Sequence, residues 1–196
     1  MISCQRSLKV RNTFSMPKRI GERTVAKSKH FEIKEVDLEF SSGKRRTHEI
    51  VDNDMQGVTL VPIKEDGTIL FVREYLTGAG EYQLGLCKGG IELGHTPEET
   101  AQRELQEEVG YKAGRLDKLA EAFLHPAYTT AKTHIFLARD LKASKLTGDE
   151  GEELEVVPYP FKDFEKLIDN KVIHDARIIA ALYLAKRFLE KEKNQT

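Results

Sequence analysis

Apolar and polar side chains alternate along residues 30–40, HFEIKEVDLEF, with the period of a half-buried strand. The turn pair Ser42 and Gly43 follows, and a second strand is predicted over residues 45–51. Two strands joined by a short turn that contains glycine form a β-hairpin. The pattern therefore predicts a hairpin in the N-terminal part of the chain.

Two short apolar runs farther along the chain predict buried strands. They cover residues 57–63 and 69–72, and the turn pair Asp66 and Gly67 separates them. The next stretch, TGAGEYQLGLCKGGIELG at 77–94, is rich in glycine. This composition predicts a loop, or a loop interrupted by a strand, whose backbone can approach another group closely.

A helix with well-marked ends is predicted immediately after this stretch. Thr96 is a suitable N-cap, Pro97 fits the first helical position, and Glu99 completes a capping box with Thr96. Gly110 supplies the C-terminal stop. The stripe that faces the core consists of Ala101, Leu105 and Val109.

The rest of the chain continues with strand and helix patterns. The predicted strands cover residues 115–124, 134–138 and 155–158, and the predicted helices cover residues 162–168 and 175–191. The most apolar run, IIAALYLA at 178–185, is far shorter than the ~20 residues that span a bilayer, so it predicts a core helix and no membrane association. Strands interrupted by helices indicate an α/β layered domain.

Three glutamates lie on the first predicted helix, in the segment RELQEEVG that begins at Arg103. Spacings of three and four residues place Glu104, Glu107 and Glu108 on one helical face, where the pair four residues apart repels by roughly a few tenths of a kcal/mol. A bound cation, a neighbouring basic side chain or plain solvation would compensate this repulsion. The charge pattern by itself leaves all three explanations open.

Composition and charge narrow the classes of function. The chain has 196 residues, of which 39% are hydrophobic and 32% are charged, as is typical of one ordinary globular domain. A net charge of -1 provides no basic field that would gather nucleic acid. The two cysteines form no CxxC pair, which argues against a disulfide framework or a thiolate zinc site and predicts a reducing, cytoplasmic location.

The N-terminal residues 1–21 carry five basic side chains and no acidic one. No apolar h-region or small-residue cleavage site marks a secretory signal, and a weak transit-like segment is an alternative. The favoured interpretation is a disordered tail over residues 1–23, with a natural start at Met16 as a further possibility. The predicted domain covers residues 24–196, with the hairpin in 24–52 and the core in 53–196.

Several common motifs are excluded by direct reading. Gln83 stands where a dinucleotide fingerprint that starts at Gly78 needs its third glycine, and Ile91 follows Gly90 where a P-loop needs lysine. The chain contains neither HExxH nor GxSxG. What remains is a glycine-rich stretch that leads directly into a capped acidic helix.

That combination, GGIELGHTPEETAQRELQEEVGY at 89–111, resembles the box of the Nudix family, G-x5-E-x7-R-E-U-x-E-E-x-G-U, in which U is aliphatic. The positions that agree are Gly89, Arg103, Glu104, Leu105, Glu107, Glu108 and Gly110. His95 stands where the pattern has its first glutamate, and Tyr111 replaces the last aliphatic residue. Segments such as VREY at 72–75 are similar to the branch of the family that contains bacterial hydrolases of ADP compounds and ADP-ribose pyrophosphatases.

The resemblance implies a site for a divalent cation. Carboxylate oxygens suit Mg²⁺ or Mn²⁺, and such a cation neutralises a pyrophosphate and lowers the pKa of an attacking water. In the family, the arginine at the position of Arg103 orients the carboxylates, and here it can pair with Glu107 or Glu99 one turn away. Gly89 either contributes a backbone carbonyl or permits the turn. On the family pattern the metal ligands are Glu104, Glu107 and Glu108, and Arg103 and Glu107 belong to the catalytic group.

The general base is expected outside the box. In similar ADP-ribose pyrophosphatases a glutamate on a loop after the box has this role, and the corresponding loop here is GDEGEELEV at 148–156. Glu150, Glu152 and Glu153 are all candidates. Counting back from the strand at 155–156 favours Glu152 as the catalytic base.

Two arginines are candidates for binding the substrate phosphates. Arg46 lies on the second strand of the predicted hairpin and Arg73 near the end of a later strand. In relatives, an arginine near the position of Arg46 contributes to the nucleotide site across a dimer. Leu76 stands where the broader branch often has an arginine, which argues against assuming specificity for ADP-ribose. The aromatic candidates for stacking on an adenine are Tyr75, Tyr82, Phe31 and Tyr128.

The resemblance implies an α/β/α sandwich with a mixed sheet, preceded by the N-terminal hairpin, and a cytoplasmic homodimer. The implied activity is metal-dependent hydrolysis of the pyrophosphate bond in nucleoside diphosphates linked to another group, such as ADP-ribose, NADH or diadenosine polyphosphates, with release of AMP. The alternative is a nucleotide-binding module of the same fold with weak or no catalysis. His95 is its main argument, because a neutral imidazole cannot replace the charge of a carboxylate. A purely structural protein would gain no stability from divalent cations.

Overall fold

The computed structural model describes residues 15–52, 56–148, 151 and 154–195. The chain divides into two compact units. The first contains the residues up to 53 together with Ala127–Thr130, and the second contains the rest of the chain. Within the described ranges, no helix is both long enough and apolar enough to cross a membrane.

The first unit is built on a three-stranded antiparallel sheet. Its strands are β1 (Lys18–Lys27), β2 (Glu32–Glu39) and β3 (Arg45–Asp52), and they lie in the order β1-β2-β3. The predicted hairpin is confirmed as β2 and β3, with Ile33 opposite Val51. Gly43 adopts φ +76° in the connecting turn, a conformation that favours glycine.

Strand β1 corrects the predicted extent of the N-terminal tail. Residues 18–23 were assigned to the disordered tail 1–23, but they form the first part of β1 and pair with β2. Almost every side chain of β1 is exposed, so the segment lacks the apolar alternation by which a strand is recognised in a sequence. Backbone pairing with β2, together with surface ion pairs such as that between Arg23 and Glu35, holds β1 instead. Residues 1–14 lie outside the described ranges.

The second unit contains two sheets. One has the order β10-β5-β6 and the other β7-β4-β9-β8, and the second sheet is mixed because β4 and β9 run parallel. The strands are β4 (Gln56–Pro62), β5 (Thr68–Leu76), β6 (Glu81–Gly85), β7 (Lys88–Gly90), β8 (Tyr111–Phe123), β9 (Lys132–Ala143) and β10 (Glu155–Pro160). The helices are α1 (Pro97–Glu104), which continues as a π turn (Leu105–Val109), a 3-10 turn (Phe161–Asp163), α2 (Phe164–Asp169) and α3 (Ala176–Lys193).

The core of this unit lies on both faces of the sheets. Successive side chains of a strand point to opposite faces, and on β9 Leu137 packs in the same apolar cluster as Leu182 of α3, while its neighbour Phe136 packs with Leu105 beside α1. Helices therefore cover both faces, and the predicted α/β/α sandwich with a mixed sheet is confirmed. The apolar run at 178–185 is part of α3, as predicted for a core helix.

Candidate active site

Helix α1 begins as its sequence predicts. The hydroxyl oxygen of Thr96 accepts a hydrogen bond from the amide of Glu99 at 3.2 Å, and the Glu99 carboxylate accepts one from the amide of Thr96 at 2.8 Å. Pro97 occupies the first turn, where its missing N–H costs nothing. This capping box fixes where the helix starts, and so sets the positions of the glutamates that follow.

The end of the helix differs from the prediction. A regular α-helix was expected up to the stop at Gly110, but residues 105–109 form a π turn, and the amide of Gly110, at φ +81°, donates to the carbonyl of Leu105. A π turn carries one extra residue per hydrogen-bonded ring, so Glu107 and Glu108 leave the helix in directions that a regular helix would not give them. Such turns are frequent at functional sites. The helix propensities of residues 105–109 do not indicate this π turn.

The positive charge of Arg103 offsets the negative charges of two of the three glutamates. Its two terminal nitrogens lie 2.6 Å from a carboxylate oxygen of Glu107 and 2.6 Å from one of Glu104. Of its two predicted partners, Glu107 is observed, whereas Glu99 is engaged in the capping box. A basic neighbour is therefore one answer to the repulsion between the glutamates, and it holds both carboxylates in one orientation.

Glu108 is placed differently. Its side chain is buried, with 4% of the residue exposed, and one carboxylate oxygen accepts a hydrogen bond from the amide of Lys88 at 3.2 Å. The pKa of Glu108 is raised to about 8, mainly by burial; the charge of Lys88 opposes this shift and the charge of Glu104 contributes to it. Without a cation, this carboxyl group therefore tends to keep its proton near neutral pH.

Gly89 lies directly against Glu104. It belongs to β7 and pairs with Val58 of β4, and a Cβ atom built on Gly89 would overlap the Glu104 carboxylate. Glu104 itself is only 8% exposed. A residue with any side chain at this position would push the carboxylate away, so the packing of β7 on α1 requires glycine here.

This contact gives a prediction with a matched control. We expect Gly89→Ala to fold, because the overlapping atoms are at the end of a flexible side chain, but to lose about tenfold to a hundredfold in kcat because Glu104 is displaced. Gly90→Ala should retain activity, since a Cβ at Gly90 meets no atom within 4 Å. Steady-state kinetics and thermal unfolding of both variants check this. Equal activity of the two alanine variants would contradict it.

The donor set fits a hard divalent cation, although the side chains are not gathered around one point. In the described part of the chain, no three His, Cys, Asp or Glu side chains stand together as a ready metal cluster. Glu104 and Glu107 instead face Arg103, and Glu108 faces the amide of Lys88. Carboxylate oxygens are the ligands that Mg²⁺ prefers, and a buried carboxyl group with a raised pKa favours a cation as its partner.

The remaining predicted site residues are Arg73, Arg46 and Glu152. Arg73 pairs with Glu155 of β10 at 2.9 Å and is partly exposed. Arg46, in the N-terminal unit, donates to the carbonyl oxygen of Arg45 at 3.1 Å. Glu152 lies outside the described residues, and so do the two other candidate bases, Glu150 and Glu153.

The four aromatic candidates are exposed rather than part of the core. Tyr75 and Tyr82 face each other across β5 and β6 as an edge-to-face pair, with 5.4 Å between ring centroids. Phe31 and Tyr128 are each more than half exposed. All four rings are therefore accessible to a partner from solution.

Two residues beside the glutamates were not predicted. Lys88 of β7 and Glu74 of β5 form an ion pair whose side chains are mostly buried. They belong to strands of different sheets, so no spacing in the sequence indicates that they meet. The only local signal was the position of Lys88 next to Gly89.

A large cleft lies elsewhere in the second unit. It has a volume of about 860 Å³ and is formed by the turn between β4 and β5, the end of β10 and the C-terminal part of α3. No residue of α1 or β7 lines it. We place the candidate active site at the glutamates, because hard oxygen donors, and not volume, determine where a divalent cation binds.

The α/β/α fold, the glycine-containing strand β7 and the acidic helix α1 with its π turn together define the class of protein. The chain belongs to the Nudix hydrolase family: the NUDIX domain profile matches residues 54–182, and the profile of the NudE-type Nudix hydrolase N-terminal domain matches residues 17–49.

Named relatives agree with this class. The chain is 39% identical over 175 residues to the ADP compounds hydrolase NudE of Escherichia coli (strain K12), covering 89% of this chain and 94% of the relative. It is 32% identical over 172 residues to an ADP-ribose pyrophosphatase of Bacillus subtilis (strain 168), covering 84% and 92%. A crystal structure of an ADP compounds hydrolase matches with a TM-score of 0.86 and 36% identity, covering 92% of this chain and 97% of that one.

Proposed function

We propose that this protein hydrolyses the pyrophosphate bond of ADP compounds, such as ADP-ribose, NADH or diadenosine polyphosphates, and releases AMP. The observation that carries the proposal is the packing of Lys88 and Gly89 on Glu108 and Glu104 in a chain of the Nudix family. Relatives named as an ADP compounds hydrolase and an ADP-ribose pyrophosphatase, which match almost the whole chain, support this choice of substrate.

The proposed cofactor is Mg²⁺, with Mn²⁺ as a substitute, held by Glu104, Glu107 and Glu108 with Gly89 beside them. When bound, the cation would neutralise the pyrophosphate oxygens and lower the pKa of the attacking water. Arg103 orients Glu104 and Glu107, as its two 2.6 Å contacts support. Burial of Glu108 keeps water away from this carboxylate and strengthens its interaction with a cation.

The remaining roles are assigned on chemistry. Glu152 is proposed as the general base, with Glu150 and Glu153 as the alternatives on the same loop. Arg73 and Arg46 are proposed to bind substrate phosphates through their planar guanidinium groups. The protein is proposed to act in the cytoplasm, which agrees with its low cysteine content. It is also proposed to act as a homodimer.

A substrate panel tests the activity. ADP-ribose, NADH, diadenosine triphosphate and GDP-mannose are each incubated with the protein and Mg²⁺ or Mn²⁺, with EDTA in parallel. We expect AMP to be released from at least one adenine substrate only when a metal is present. Cleavage that persists in EDTA, or no cleavage of any substrate, would overturn the proposal.

The alternative function is a module that binds nucleotides without cleaving them, and His95 is the residue that favours it. The His95 side chain is half exposed, and its Nδ1 lies 4.0 Å from a carboxylate oxygen of Glu92. Because exposed charges contribute no more than about 1 kcal/mol, we expect His95→Glu to change turnover and Mg²⁺ affinity by less than about fivefold. A much larger gain of turnover would show that His95 limits catalysis.

A further inference from the structure

The ion pair between Lys88 and Glu74 is the starting point. Lys88 Nζ contacts Glu74 Oε1, and the two side chains are only 17% and 16% exposed. Neither residue belongs to the Nudix box pattern. A charged pair that is mostly withdrawn from water pays a desolvation penalty, and it is costly to break once formed, because one charge is then left buried alone. Its position next to the candidate active site therefore calls for a functional explanation.

Strand β7 needs an anchor that its own sequence hardly supplies. The strand has three residues, lies at the edge of its sheet and pairs with β4 at three positions. Two of its residues are Gly89 and Gly90, which have no side chain to pack. Lys88 is thus the one residue of β7 whose side chain can tie the strand to another part of the structure.

The ion pair between Lys88 and Glu74 connects the two sheets of the second unit. Glu74 lies on β5, in the sheet β10-β5-β6, whereas β7 belongs to the sheet β7-β4-β9-β8. The backbone amide of the same Lys88 donates to Glu108, and the next residue, Gly89, touches Glu104. Movement of Lys88 would therefore shift both contacts of β7 with the glutamates.

The zero net charge of the Lys88–Glu74 pair is also compatible with a cation site beside it. A lone lysine ammonium beside Glu104 and Glu108 would compete with a cation for the same carboxylates. Paired with Glu74, Lys88 adds no net charge to the site. The pair can hold the backbone without opposing cation binding.

We propose that Lys88 and Glu74 are positioning residues of the metal site: their ion pair holds β7 so that its backbone aligns Glu104 and Glu108 for a divalent cation. This inference rests on the proposed function, because it assumes that these glutamates bind the metal.

The test measures binding of Mn²⁺ directly, by the electron paramagnetic resonance signal of free Mn²⁺, and does not depend on turnover. The informative variant is the double substitution Glu74→Gln with Lys88→Met, which removes the ion pair and leaves the net charge of the protein unchanged. Loss of a residue that supports metal ligands typically costs about tenfold to a hundredfold in affinity, so we expect Mn²⁺ binding at least about tenfold weaker. Lys88→Arg, which can still pair with Glu74, should stay much closer to the wild type.

The matched control is Lys34→Met with Asp52→Asn in the N-terminal unit. Lys34 and Asp52 form an ion pair 2.5 Å long with both side chains 20% exposed, close to the exposure of the Glu74–Lys88 pair. Lys34 also contacts Glu22 and Asp52 also accepts from Thr130, so this control removes at least as many structural contacts. We expect this control to lower the unfolding temperature in EDTA and leave Mn²⁺ affinity unchanged. If the Glu74/Lys88 double variant behaved in the same way, the pair would be structural only and the inference would be wrong.

The outcomes separate this inference from the proposed function. Wild-type Mn²⁺ binding that is lost in Glu108→Gln but kept in the Glu74/Lys88 double variant would overturn the positioning role alone. A wild-type protein that binds no Mn²⁺ would overturn the proposed metal site, and the positioning role with it.

Discussion

Glu107→Gln and Glu108→Gln are each expected to lower kcat for the preferred ADP compound by at least about a hundredfold in saturating Mg²⁺. A bound cation contributes several kcal/mol to the stabilisation of charge in the transition state, and each 1.4 kcal/mol corresponds to about tenfold in rate. Glutamine keeps the size of glutamate and removes the charge that holds the cation. The measurement is AMP release under steady-state conditions, together with the Mg²⁺ concentration that gives half-maximal rate.

The control for this result is Glu98→Gln. Glu98 lies in the first turn of the same helix, is exposed and is not part of the box pattern. It should retain activity within a few-fold, because exposed charges contribute little. If Glu107→Gln and Glu108→Gln were as active as Glu98→Gln, these glutamates would not be the metal ligands.

The contribution of Glu108 to the stability of the metal-free protein is expected to fall as the pH rises from about 4.5 to about 8. In the folded state burial raises the pKa of Glu108 from 4.5 to about 8. A group with a raised pKa in the folded state binds its proton more tightly there than in the unfolded chain, so its contribution is complete below pH 4.5 and is lost as the pH approaches 8. Since one pKa unit corresponds to about 1.4 kcal/mol, the change is at most roughly 5 kcal/mol.

Denaturant unfolding in EDTA across this pH range, for the wild type and for Glu108→Gln, measures the effect. Glutamine has no proton to lose, so the variant should become more stable than the wild type at the alkaline end, by roughly 2 kcal/mol or more. Mg²⁺ should remove most of the loss in the wild type, because a cation stabilises the charged carboxylate. Parallel pH profiles of wild type and variant in EDTA would contradict this prediction.

Much of the fold follows from local patterns. The buried strands β4 and β5 and helix α3 were predicted from their apolar runs and end signals, because their apolar side chains form the core. The hairpin of β2 and β3 was predicted from alternation and its turn residues, although Val36 is the one buried side chain in its two strands. Strand β1 was not predicted, since almost all of its side chains are exposed and it is held by backbone pairing and surface ion pairs with β2, which leave no apolar pattern. Strand β7, with two glycines in three residues, has no periodic pattern to detect.

Some features of the candidate active site also follow from local sequence patterns, and others do not. The capping box at Thr96, the stop at Gly110 and the register of Glu104, Glu107 and Glu108 are local features, and the sequence by itself determined them. It also determined the family, because the box is a fixed spacing of residue types along one segment.

Only the tertiary structure decided how these residues meet. The packing of Gly89 on Glu104, the burial of Glu108 and the ion pair between Lys88 and Glu74 join segments that are distant in the sequence. The π turn is local, but no residue propensity in its segment indicates it. Burial and long-range ion pairing depend on which surfaces face each other after folding, and no local spacing encodes that. The sequence therefore identifies the glutamates. The packing around them determines their protonation and orientation and which neighbouring residues contact them.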